Sequence, residues 1–113
     1  MTDRNFLFLC SKNRLRSPNA EQIFAGLPGI NVLSAGINRD AEEPLTDELV
    51  EWADIIFAME GTHRTKLQKK HRSALKDKRV VVLGIPDDFA FMDPQLVRIL
   101  KSKMRSWLPE NMT

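Results

Sequence analysis

The chain is organised around residues 6–18, which read FLFLCSKNRLRSP. The apolar run at residues 6–9, bounded by polar residues, predicts a short strand directly before the only cysteine, Cys10. Ser17 and Pro18 are typical of a helix start, because a serine can cap the first turn and a proline there loses no hydrogen bond. Cys10 is therefore expected on a strand-to-helix loop, where unpaired backbone N–H groups and the helix dipole bind anions.

The composition is that of one ordinary globular domain. The 113 residues are 42% hydrophobic and 28% charged, which suffices for one core but not for two. No apolar run approaches the ~20 residues of a membrane span, and the first residues lack the apolar segment of a secretory signal. We therefore expect one domain over residues 1–113, located in the cytoplasm and without a membrane partner.

The cysteine count and the charge pattern exclude several classes of site. A single cysteine rules out an internal disulfide, and with only His63 and His71 beside it there is no metal-site spacing. The net charge of +2 is too small to indicate nucleic acid. Acidic side chains are concentrated in residues 40–60 and basic ones in residues 63–79. This pattern predicts two solvated helix faces with some cross-pairing, or alternatively a basic docking surface for an acidic partner.

Strands and helices alternate along the predicted chain. The strands are expected at residues 6–9, 30–36, 54–59 and 79–85. The helices that follow them are expected to be capped by Ser17, Thr46, Thr62 and Asp93. This order favours a single three-layer α/β domain, with a four-stranded parallel sheet flanked by helices. Ligands of such sheets bind beyond the carboxyl ends of the strands, where the strand order reverses, and Cys10 follows the first strand.

Cys10, Arg16 and Ser17 form a C-x5-R-S pattern that suits a phosphate site. Five intervening residues can wrap a tetrahedral oxyanion, so that successive amide N–H groups converge on it. The planar guanidinium of Arg16 can hold two phosphate oxygens at once. Cys10 would lie at the bottom of this loop as the nucleophile, and Ser17 could support its sulfur or only cap the helix.

The same stretch resembles the hallmark of the low-molecular-weight protein tyrosine phosphatases, V-C-x-G-N-x-C-R-S-P followed by I/M-A-E. The matching positions are Cys10, Asn13, Arg16, Ser17, Pro18, Ala20 and Glu21. Residues 34–36 (SAG), 54–60 (DIIFAME) and 85–89 (IPDDF) are similar to three further family motifs: the S-A-G/T-G turn, the D-x-I-x-x-M-D/E strand and the I-x-D-P-Y/F acid loop. The resemblance covers most of the chain and implies a phosphotyrosine protein phosphatase I-like fold.

The resemblance implies a phosphomonoester hydrolase, a protein tyrosine phosphatase acting on a phosphotyrosine-containing protein or a small aryl phosphate, without cofactor or metal. Cys10 would form a cysteinyl-phosphate intermediate, and Asp87 would protonate the leaving group and then activate water. Asn13 would hold the loop in shape, and Phe89 would line the substrate cleft. The implied phosphate-binding residues are Ser11, Lys12, Asn13, Arg14, Leu15, Arg16 and Ser17.

The chain also departs from the family pattern. Lys12 replaces a loop glycine, Leu15 replaces the second cysteine, and Asp88 stands where proline is usual. The chain is shorter than is normal for the family, chiefly between the first helix and residue 52. Asp88 and Asp93 are alternative acids, but Asp93 is better explained as a helix cap, which favours Asp87.

Other functions fit parts of the pattern. An arsenate reductase would use the same loop but, with Cys10 as the only cysteine, would need an external thiol. A non-catalytic module that binds phosphate or phosphopeptides would need neither a nucleophile nor an acid. A cysteine phosphocarrier would need no arginine at position 16. The combination of Cys10, Arg16 and Asp87 favours the phosphatase.

Overall fold

A computed structural model describes residues 4–10, 16–38, 41, 43–76, 78–85 and 92–108. Within these residues the strands form one four-stranded sheet in the order β2-β1-β3-β4, and every neighbouring pair is parallel. The strands are β1 Arg4–Cys10, β2 Ile30–Gly36, β3 Ile55–Ala58 and β4 Arg79–Val82. The helices are α1 Arg16–Phe24, α2 Asp47–Trp52, α3 Gly61–Lys70, α4 Arg72–Leu75 and α5 Pro94–Met104, with a 3-10 turn at Arg105–Trp107. The predicted parallel α/β fold is confirmed.

The central strand β1 supplies the middle of the core on both faces of the sheet. Phe6 and Phe8 lie in one apolar layer with residues of α1 and α5, whereas Leu7 and Leu9 lie in the other with residues of α2 and α3. All four side chains are fully buried, because successive side chains of a strand point to opposite faces and helices cover both. The three-layer arrangement follows from this double burial.

Helix α1 has the predicted apolar face but begins earlier than expected. Ala20 and Phe24 are fully buried, and the ring of Phe24 stacks on that of Phe8 at 5.8 Å between centroids. The helix starts at Arg16, so Ser17 and Pro18 lie within its first turn and Ser17 is not the residue before it. Pro18 is still at a position where a backbone N–H would have no intrahelical acceptor.

The start of α3 corrects the sequence prediction. The helix is capped by Glu60, not by Thr62, and the backbone N–H of Glu60 donates to Nδ1 of His63 at 3.1 Å as part of a capping box. His63 is 1% exposed, so its ring is a buried part of the helix start. The predicted single helix is also divided, because α3 ends at Lys70 and the short α4 follows.

The other two predicted caps are confirmed. Thr46 Oγ1 accepts from the backbone N–H of Leu49 at 3.2 Å at the start of α2, and Asp93 Oδ1 accepts from that of Gln95 at 2.8 Å at the start of α5. These caps satisfy donors that a helix leaves unpaired in its first turn.

The acidic and basic segments are in contact through a histidine ring and through backbone carbonyl oxygens. Asp47 Oδ1 lies 2.7 Å from His71 Nδ1. The ammonium group of Lys78 donates to the carbonyl oxygens of Glu51 and Ala53 at 3.0 and 2.6 Å. Across the described ranges, every helix is too short or too polar to cross a membrane.

Candidate active site

Cys10 occupies the carboxyl end of the central strand. Its carbonyl oxygen accepts from the backbone N–H of Ile37 at 2.8 Å, and the carbonyl of Leu9 accepts from Met59 at 3.0 Å. Cys10 therefore lies between the chain that continues β2 and the chain that continues β3, where the strand order reverses. This placement confirms the predicted switch point. One detail differs from the prediction, because Cys10 is the last residue of β1 and is 3% exposed, rather than the first residue of the loop.

The structure contains both elements predicted to flank the C-x5-R-S pattern, the strand before it and the helix after it. β1 ends at Cys10 and α1 begins at Arg16, so residues 11–15 connect them. Arg16 and Ser17 are placed by their backbone in the first turn of α1. The loop residues Ser11, Lys12, Asn13, Arg14 and Leu15 lie outside the described residues, and their phosphate-binding roles stay predictions.

A polar contact fixes α1 against the sheet. Ser34 Oγ of β2 donates to Oε1 of Glu21 in α1 at 2.7 Å, and the contact is partly buried. The two residues belong to two of the motifs that resemble the phosphatase family, but no pattern in the sequence links them. Their pairing holds the helix that follows the loop against the strand that neighbours β1.

The residues on either side of the predicted acid segment make described hydrogen bonds. Asp87, Asp88 and Phe89 lie outside the described residues, within the stretch 86–91. Before this stretch, the backbone N–H of Ile85 donates to the carbonyl of Met59 at 2.8 Å, so the chain runs beside the extension of β3. After it, the backbone N–H of Met92 donates to Asn19 Oδ1 at 2.8 Å. One of these hydrogen bonds therefore reaches the chain after β3, and the other reaches α1.

Asn19 is a buried polar residue of α1 that no motif in the sequence singles out. It is fully buried, although it is polar. Its position four residues before Ile23 places it beside the apolar face of α1, and a polar residue there was the available signal. It is also separated from Met92 by most of the chain, so no local pattern links the two.

The described part of the site offers no metal centre. Among the residues that the structure describes, no group of three or more histidine, cysteine, aspartate or glutamate side chains is arranged to hold a metal ion. Asp93, the alternative acid, has its carboxylate engaged as the cap of α5.

Comparison with known proteins identifies two curated relatives of the chain. No protein-family model matches the chain. A curated relative from Ralstonia solanacearum is 30% identical over an alignment of 115 positions, gaps included, which covers 80% of this chain and 78% of the relative. A relative from Ralstonia nicotianae is 26% identical over 139 such positions, which cover 94% of each chain. Both carry the description "Probable low molecular weight protein-tyrosine-phosphatase EpsP".

Solved structures share the fold. The tyrosine phosphatase Wzb from Escherichia coli K30, in complex with phosphate, has a TM-score of 0.74 and 21% identity, covering 95% of this chain and 96% of its own. The YwlE arginine phosphatase from Geobacillus stearothermophilus has a TM-score of 0.69 and 23% identity, covering 90% and 86%. At these identities the likeness establishes the fold alone.

The chain thus belongs to the low molecular weight protein-tyrosine-phosphatase family, as the resemblance of residues 9–21 predicts. It is a cysteine-dependent phosphatase. The alignment with the Ralstonia nicotianae relative runs over 139 positions, more than the 113 residues of this chain, so the relative carries residues opposite gaps here. These gaps agree with the shortening that the sequence indicates.

Proposed function

We propose that this chain hydrolyses aryl phosphate monoesters, with phosphotyrosine in proteins as its substrate class, through a cysteinyl-phosphate on Cys10. The observation that carries the proposal is the position of Cys10 at the end of the central strand, with a helix beginning at Arg16. The unpaired amide groups and the dipole at this helix start favour a bound phosphate. The phosphate complex of the structural neighbour Wzb supports the same ligand chemistry.

The proposed reaction has two steps. In the first, Cys10 Sγ attacks phosphorus, the bond between phosphorus and the phenolic oxygen breaks, and Asp87 gives its proton to that oxygen. In the second, water attacks phosphorus, the S–P bond breaks, and Asp87 takes the proton from water. Arg16 and the amides of residues 11–17 hold the equatorial phosphate oxygens in both steps. Inorganic phosphate leaves, and the thiolate of Cys10 is restored.

Asp87 is the proposed acid because hydrogen bonds hold the chain on both sides of residues 86–91. Two positions before it, Ile85 is held to Met59, and beyond it Met92 is held to Asn19. Asp93 already caps α5. In this proposal Phe89 lines the cleft for the aromatic ring, and Asp88 is the acid to be tested beside Asp87.

Hydrolysis of p-nitrophenyl phosphate tests the proposal. We expect turnover by the unsubstituted protein at mildly acidic pH and none by Cys10→Ser. Asp87→Asn is expected to lower kcat/KM by about 10²-fold, since a positioned acid contributes about 10²–10⁴-fold. Asp93→Asn serves as the matched control and is expected to leave it unchanged. If no turnover depends on Cys10, the proposal is overturned. If the protein instead reduces arsenate when a thiol is added, the arsenate reductase is favoured.

The substrate class needs a separate measurement, because the fold is shared with an arginine phosphatase. Peptides of one sequence carrying either phosphotyrosine or phosphoarginine are compared at the same concentration. We expect a higher kcat/KM for phosphotyrosine. A higher value for phosphoarginine would move the substrate class to phosphoramidates.

A further inference from the structure

Asn19 is a buried polar side chain that the reaction scheme does not use. Its relative exposure is 0%, and its Oδ1 accepts from the backbone N–H of Met92 at 2.8 Å. Because a backbone N–H can only donate, this hydrogen bond fixes which end of the amide is the oxygen. The Nδ2 group is then buried, and it has no hydrogen-bond partner among the residues that the structure describes. Such an unsatisfied donor is uncommon in a protein interior.

The contact joins the two halves of the proposed active site. Asn19 follows Arg16 in the first turns of α1, the helix that leads out of the phosphate loop. Met92 directly follows the stretch 86–91, which contains Asp87. The residues in contact are 73 positions apart in the sequence. The hydrogen bond therefore fixes Met92, the first described residue after this stretch, to α1.

The backbone of Met92 is in a conformation that needs outside support. Its φ is +58°, in the left-handed region that residues with a Cβ rarely adopt. Its side chain is 42% exposed, so burial of the side chain does little to hold it. The hydrogen bond to the buried Asn19 is the described contact that restrains the Met92 backbone from outside its own segment.

From these observations we propose that Asn19 is a positioning residue for the general acid. Acting through Met92, it holds the far end of the acid segment so that the carboxyl group of the segment reaches the leaving oxygen. Asn19 does not touch the substrate. The proposal rests on the proposed function, because it requires an acid within residues 86–91. Loss of Asn19 should impair protonation of the leaving group and spare phosphate binding.

The test compares substrates that differ in their need for the acid. Phenyl phosphate has a leaving group that requires protonation, whereas 2,4-dinitrophenyl phosphate has one that leaves readily as the anion. For Asn19→Leu, we expect kcat/KM to fall on the order of tenfold more for phenyl phosphate than for the dinitrophenyl ester. The inhibition constant of inorganic phosphate is expected to change by less than about twofold. Asn19→Asp keeps an acceptor for Met92, so we expect it to show much less of this selective loss with phenyl phosphate.

Asn5 provides the matched control. It also makes side-chain hydrogen bonds between elements, donating from Nδ2 to the carbonyl of Trp52 at 2.9 Å, but at the amino end of β1. Asn5→Leu should therefore lower stability without any dependence on the leaving group. If Asn19→Leu does not fold, Asn19→Ser gives the same comparison, since its hydroxyl is too short to reach the Met92 N–H.

The outcomes separate this proposal from the one it rests on. Equal losses for the two esters in Asn19→Leu, or the same leaving-group dependence in Asn5→Leu, would overturn the positioning role in an active enzyme. No turnover that depends on Cys10 in the unsubstituted protein would instead overturn the proposed function. In an Asp87→Asn background the Asn19→Leu change should add no further selective loss, and an additional loss would overturn its link to Asp87.

Discussion

The hydroxyl group of Ser34 donates a 2.7 Å hydrogen bond to Oε1 of Glu21, which ties β2 to α1. The contact is partly buried and its acceptor is a carboxylate, so it belongs to the stronger class of protein hydrogen bonds. β2 pairs with β1, the strand that ends at Cys10. The Ser34–Glu21 pair therefore fixes α1, which follows residues 11–15, to the sheet that precedes them.

Removing this hydroxyl should destabilise the fold. Ser34→Ala is expected to lower the free energy of unfolding by about 1.5–3 kcal/mol, since the hydrogen bond is lost and the carboxylate is left in a partly buried place. Urea denaturation measures the change. The control is Thr65→Ala, which removes an exposed hydroxyl bonded to the carbonyl of Gly61 at 3.2 Å and should cost less than about 0.5 kcal/mol. Equal changes in the two variants would contradict the prediction.

The cap at Asp93 makes a prediction about stability that is separate from catalysis. Asp93→Ala should cost about 1 kcal/mol, because the first turn of α5 loses its side-chain acceptor, whereas Asp93→Asn should keep the cap. Thermal unfolding compares the two variants, and hydrolysis of p-nitrophenyl phosphate is measured on both. A loss of activity in Asp93→Asn at unchanged stability would make Asp93 the acid.

Phe57 is expected to be the most sensitive aromatic position of the core. Its ring is fully buried and lies 5.1 Å from that of Phe6, 5.3 Å from Phe8 and 5.5 Å from Trp107. Phe57→Ala should lower the free energy of unfolding by about 3–5 kcal/mol, through lost burial and the cavity left behind. Leu33→Ala, at a side chain 38% exposed, is the control and should cost less than about 1 kcal/mol. A comparable loss at Leu33 would contradict this description of the core.

Two glycines should respond to alanine in opposite directions. Gly84 has φ +69°, and a Cβ there would meet Lys103 Nζ only at 3.9 Å, so the cost is backbone strain of about 1–2 kcal/mol and not a clash. Gly61 opens α3, and a Cβ added there has no atom within 4 Å. Gly61→Ala should therefore stabilise the protein by up to about 1 kcal/mol. Chemical denaturation of both variants checks the signs, and destabilisation by Gly61→Ala would contradict the prediction.

The features that could be predicted from the sequence were those encoded by neighbouring residues. The strand predicted at residues 30–36 is observed over the same residues, because turn residues bound its apolar pattern on both sides. The caps at Thr46 and Asp93 depend on chemistry within the next three residues, and both were confirmed. The parallel order of the sheet followed from the alternation of elements.

The features that could not be predicted depend on which segments meet. The β-branched run at residues 79–85 predicts a strand but not its place in the sheet. β4 lies at the edge and is only partly buried, because the strand order decides its neighbours. The cap of α3 was predicted at Thr62, because threonine is preferred over glutamate at helix starts. In the structure the cap is Glu60, which forms a capping box with the buried His63. The contact of Asn19 with Met92 joins residues that are 73 positions apart in the sequence. The roles of Asp87 and of residues 11–15 stay predictions.

The central position of β1 has a consequence for how the chain acquires its structure. Both neighbours of β1 run parallel to it, so no two adjacent strands are joined by a hairpin. Every ladder must wait for a helix-containing crossover to close, and such non-local pairing is slow. During synthesis β1 is made before either partner, and the edge that pairs with β3 stays open until residues 55–58 have been made. The strand that lies at the centre of the native sheet therefore keeps an unpaired edge after β2 has been made, which is the kind of exposed edge that favours aggregation and that chaperones protect.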